Sequence, residues 1–68
     1  MSELKISIKA ARVNAGYTIV EAAKKLGISP STLVSWEKNP EKISAANQAK
    51  IGMVYKISTD NIIFLQRN

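Results

Sequence analysis

Apolar positions along the chain fall into short runs, separated by polar and glycine punctuation at Asn14-Ala15-Gly16, Gly27, Asn39-Pro40 and Ile57-Ser58. In the first run Leu4, Ile6 and Ile8 alternate as in a strand, whereas Ile8, Ala11 and Ala15 follow helical spacing. Together the two patterns predict an extended segment up to Ile6, then a helix from a Ser7 cap to about Asn14, ended by Gly16. The second run opens on Thr18-Ile19-Val20-Glu21, a capping box in which the Thr hydroxyl accepts from the Glu21 amide and the Glu side chain reaches back to the Thr18 amide. Tyr17 and Ala22 on either side can form a hydrophobic staple. Ala22, Ala23 and Leu26 line one face, and Gly27 supplies the left-handed backbone that stops a helix over about residues 19 to 26.

Ser29-Pro30 reads as an N-cap followed by proline at the first helical position, where a missing amide costs nothing. Leu33 and Trp36 face inward from this third helix, and Asn39-Pro40 ends it. Only Gly27 and Ile28 separate the second helix from the Ser29 cap, a turn tight enough to force the two helices to cross steeply. Ala23, four residues before Gly27, then sits at the closest approach, where only a small side chain fits. Ser44 can cap a fourth helix with Ile51, Val54 and Tyr55 inward, running to about Lys56. Ser58 or Thr59 can begin a last turn with Asp60 near its start, where the helix dipole favours an acid. The stretch Ile62 to Leu65 either closes the core or pairs as a short strand with Leu4-Lys5-Ile6. One all-α domain over residues 1-68 is expected, because a chain of 68 residues is too short to divide its apolar side chains between two cores.

Composition narrows the chemistry. The chain has no cysteine and no histidine, which excludes disulfides, thiolate nucleophiles, zinc-finger ligands and imidazole bases. No metal site and no cofactor are expected. Among five carboxylates no pair is placed for acid and base work, since Glu21 caps a helix, so the chain does not read as an enzyme. Ten Lys and Arg against five Asp and Glu give a formal charge of +5, a balance that favours polyanionic partners. The longest apolar stretch, Ile62 to Leu65, is far short of the ~20 residues that cross a bilayer. With no secretory leader in its first residues either, the chain reads as cytoplasmic, with no membrane partner.

The run from Thr18 to Pro40, with Ala22, Ala23, Leu26, Gly27, Ile28, Leu33 and Trp36 at set spacings, resembles the helix-turn-helix family of phage lambda-type repressors and Cro proteins, also called the xenobiotic response element family. Ile8 to Arg12 looks like that family's first helix and Tyr55 to Ile62 like its last turn, so the likeness covers about residues 7 to 64. The resemblance implies a compact four- to five-helix lambda-repressor-like domain with its motif at about residues 18-39. It also implies an ion pair between Arg12 and Glu37, and a phage-type regulator working in a bacterial host cell.

It further implies that the third helix enters the major groove of double-stranded DNA, where Pro30, Ser31, Thr32 and Ser35 would meet base edges. None of these is the Arg, Lys, Gln or Asn that makes bidentate base contacts, so readout should be permissive or depend on DNA shape. Phosphate candidates are Thr18, Lys38, Asn39, Lys42 and Ser44, through side chains and helix-start amides. Gln48 is a further polar candidate, and Lys24 and Lys25 read as solubility charges. The same departure leaves room for a second function, modulation of a repressor protein by heteromer formation. Val34 with Ile62, Ile63, Phe64 and Leu65 would form the partner surface, which could equally serve a homodimer. The length leaves no room for the oligomerisation domain of larger phage repressors, so association would run through this domain.

Overall fold

The computed structural model describes residues 5–64. Four α-helices follow one another: α1 (Ile8–Asn14), α2 (Ile19–Leu26), α3 (Pro30–Lys38) and α4 (Ala45–Tyr55), with short 3-10 turns at Pro40–Lys42 and Thr59–Asn61. This is the all-helical, lambda-repressor-like arrangement expected from the sequence. Each α-helix begins at a hydroxyl cap: Ser7 accepts from the Ala10 amide, Thr18 from Glu21, Ser29 from Thr32 and Ser44 from Asn47. At α2 the capping box is complete, with Glu21 accepting from the Thr18 amide at 2.9 Å. That bond and the threonine hydroxyl hold the Glu21 carboxyl below its usual pKa.

Gly27 ends α2 in the left-handed conformation, φ 74° and ψ 30°. Its amide donates to the Lys24 carbonyl and that of Ile28 to the Ala23 carbonyl, the paired closure that satisfies the last free carbonyls of a helix. Two residues later Ser29 starts α3, so the turn is set by one glycine and one cap. α4 closes in the same left-handed way with a residue that lacks glycine's freedom: Lys56 takes φ 57°, and the helix stops at Tyr55, one residue short of expectation. The turn at Pro40–Lys42 is an addition to the elements expected from the sequence. Proline breaks α3 but its fixed φ also suits the first position of a 3-10 turn.

The core comprises Ile8, Ala11, Ala22, Ala23, Leu26, Leu33, Ile43, Ile51, Tyr55 and Ile62, with Trp36 and Val54 packed half-buried against it. Ala23 is 1% exposed, at the heart of the α2 and α3 packing. Ala23→Val is therefore expected to destabilise the domain by about 1–3 kcal/mol through overpacking, and unchanged thermal unfolding of that variant would contradict this packing. Gly52 in α4 matters for a similar reason, since a Cβ there would lie 2.9 Å from the Ile57 carbonyl oxygen and 3.0 Å from the Thr59 methyl group. The closing turn can lie so near α4 only because that side chain is absent.

Among the described residues one parallel bridge joins Ile6 to Ile62, where the Ile6 amide donates to the Asn61 carbonyl and the Ile63 amide to the Ile6 carbonyl, both at 2.9 Å. Both alternatives for this stretch thus hold in part, as one bridge and as core closure. The bridge divides the stretch expected as a partner surface between the core and solvent. Extended backbone sends alternate side chains to opposite sides, so Ile62 is buried in the core and Ile63 is exposed, while Phe64 packs half-buried on the core. Leu65, the last of those candidates, and Leu4 lie outside the described residues.

Candidate nucleic-acid interface

Helix α3 is two-sided. Leu33 is wholly buried and Trp36 half-buried, whereas Pro30, Ser31, Val34 and Ser35 are exposed and Thr32 is half-buried. The four residues expected at base edges thus share one helix, but they are not equivalent. Thr32 is drawn into the cap: its amide donates to the Ser29 hydroxyl at 3.1 Å, and that hydroxyl donates to its Oγ1 at 2.9 Å. Ser31 shares a hydroxyl hydrogen bond with Ser29 at 3.2 Å. Pro30 and Ser35 are left as the exposed positions of the four outside this hydroxyl cluster, and Pro30 has no polar side-chain atom to offer.

The polar candidates around α3 divide in the same way. Thr18 and Ser44 are exposed but bonded to amides in their own first turns, so what each presents outward is chiefly the free amides of a helix start. Asn39 turns its side chain back to the Ser35 carbonyl at 3.5 Å, and Gln48 donates to the Ile43 carbonyl at 3.1 Å, so both serve the loop around Pro40–Lys42. Lys38 and Lys42 are exposed on either side of that loop. Lys25 is exposed and lies 5.5 Å from the centre of the Tyr17 ring, a surface cation over an aromatic face.

Behind α3 stands a polar anchor. Arg12 donates from Nε to Glu37 at 2.7 Å, from Nη2 to the other carboxylate oxygen at 3.5 Å, and from Nη1 to the Tyr17 carbonyl at 2.9 Å. Both side chains of the pair are 10% exposed. One guanidinium therefore ties α1 to the far end of α3 and to the loop that enters α2. The family resemblance implies the pair but not the bond to the Tyr17 carbonyl, nor the state of Tyr55, whose buried hydroxyl has no hydrogen-bond partner among the described residues. Burial pushes the Tyr55 pKa up to about 12; Glu37 adds to the rise and Arg12 opposes it. Tyr17 packs tilted beside Tyr55, with ring centres 6.2 Å apart. The aromatic rings read as inward-facing are thus buried or half-buried, with none set out as a stacking platform.

A capped helix, a glycine turn and a second capped helix with a small-residue outer face, braced from behind by a buried ion pair, define a helix-turn-helix protein. The chain belongs to the helix-turn-helix family, which it matches over residues 8–62. Among curated proteins it is similar to the HTH-type transcriptional regulator ImmR of Bacillus subtilis (strain 168), with 36% identity over 56 residues that span 82% of this chain and 44% of that protein. The chain thus spans less than half the length of this relative. No solved structure matches it. No helix among the described residues is long and apolar enough to cross a membrane.

Proposed function

We propose that this protein is a DNA-binding transcriptional regulator, a non-catalytic, Cro-like protein of the phage type that acts in the bacterial cytoplasm. The observation that carries the reading is the capped α2, Gly27 and α3 unit, whose second helix exposes Pro30, Ser31 and Ser35 in a chain of net charge +5. In this reading α3 lies in the major groove, Lys38 and Lys42 meet phosphates, and the amides at the starts of α2 and α4 do the same through their dipoles. Base discrimination is low. Ser35 and Ser31 hydroxyls accept or donate to several bases, and the Thr32 methyl suits a thymine methyl, so groove shape carries much of the preference.

The test is binding of the full chain to duplex DNA from the intergenic region beside its own gene, measured across a salt series. With four or so phosphates neutralised, the log–log slope is expected near about −3.6, at roughly −0.9 per phosphate. That corresponds to a loss of about a hundredfold in affinity between ~50 and ~200 mM salt. A flat response would reject operator binding.

A further inference from the structure

Beside the outer face of α3 runs an open groove of about 450 Å³, bounded by α1, the start of α2 and the C-terminal half of α3. Arg12 and Glu37 form part of its lining, Ile19 and Val34 its apolar surface, and Lys9 and Lys38 its cationic edge. Val34 is 40% exposed and Ile19 half-buried, so apolar carbon is presented to solvent there without a covering residue among those described. Each of the three Arg12 guanidinium nitrogens already donates, to Glu37 or to the Tyr17 carbonyl. Arg12–Glu37 is the ion pair among the described residues, which leaves Lys9 and Lys38 exposed and without a carboxylate partner there.

We infer that this groove receives an apolar side chain from an acidic segment of another protein, with carboxylates on either side of it meeting Lys9 and Lys38. Three features on the molecule favour that occupant. A phosphodiester backbone favours unpaired cationic donors along its path, and the guanidinium in the lining is already paired with the Glu37 carboxylate and held by the Tyr17 carbonyl. An apolar side chain instead gains from burying Ile19 and Val34. A second copy of this chain carries the same charge of +5, so it opposes its own approach to a cationic rim. An occupied groove engages Lys38 and so weakens operator binding. That consequence rests on the reading of α3 given above, whereas the docking itself does not.

The test uses isotope-labelled full chain, titrated by NMR with a synthetic peptide of two leucines flanked by aspartates. One control arm replaces the aspartates by lysines, and another uses a short duplex DNA. The acidic peptide is expected to shift the amides of Lys9, Ile19, Val34 and Lys38, and the basic peptide to leave them unmoved. Val34→Asp is expected to weaken the acidic peptide about tenfold by placing like charge in the groove, with Lys9→Glu giving a similar loss from an exposed position on α1. Four results would each overturn the inference: equal binding of the two peptides, shifts that map elsewhere, unchanged affinity in both variants, or duplex DNA moving Ile19 and Val34 while the acidic peptide does not. Absence of any DNA binding, with peptide docking intact, counts against the operator reading alone.

Discussion

Arg12→Met is expected to lower the stability of this domain by about 3–5 kcal/mol, the cost of leaving a carboxylate buried without its counter-charge. The guanidinium holds Glu37 at 2.7 Å in a setting where both side chains are 10% exposed, far from the solvent-screened geometry in which ion pairs contribute little. It also supplies the Tyr17 carbonyl with a donor, so the substitution frees two acceptors at once. For a domain of this size total stability is itself only about 3–10 kcal/mol, so the variant should be largely unfolded at growth temperature. Denaturant titration of the single and double variants separates the causes. Arg12→Met combined with Glu37→Leu should recover most of the loss, since apolar replacement of a whole buried pair is often neutral or better. A single variant that loses less than about 1 kcal/mol would mean that the pair behaves as a surface contact.

Leu33→Ala is expected to cost about 2–5 kcal/mol, as the lost side chain leaves a cavity between α3 and the rest of the core. Leu33 is 0% exposed and is the fully buried residue of α3, so no other side chain of that helix replaces its packing. The melting temperature should fall by roughly 10 °C or more, at the several degrees per kcal/mol usual for small domains. Because Leu33 lies on the inner side of the helix, the folded fraction at low temperature should still bind duplex DNA as wild type does. Thermal unfolding by circular dichroism checks the first part, and a result within about 1 kcal/mol of wild type would show that α3 is held chiefly from its polar end.

Much of the fold is legible because its determinants are local. Thr18 with Glu21, Ser29 with Pro30, and Gly27 each act within a few residues of one another, so spacing alone locates α2, the turn and α3. The bridge between Ile6 and Ile62 is different, since neither segment carries a signal that names the other, and alternation suits both a strand and core closure. Gly52 likewise looks like a neutral helix residue until the returning turn is seen against it. At the interface the residue types can be read but not their state. That Thr32 is drawn into the Ser29 cap, or that Asn39 folds back on Ser35, depends on rotamers no sequence pattern encodes. Nothing in the sequence singles out Lys9 and Ile19 together, because they belong to different helices and only tertiary packing sets them beside Val34.

The Ile6 and Ile62 bridge also bears on the order of assembly. The helices of the central motif are neighbours in sequence and can find one another with little chain to organise. This clasp instead must close a loop nearly as long as the described chain, with a correspondingly larger entropy loss and few hydrogen bonds in return. The seam is therefore expected to join last and part first, and its opening would keep the α2 and α3 pair intact while uncovering Ile62.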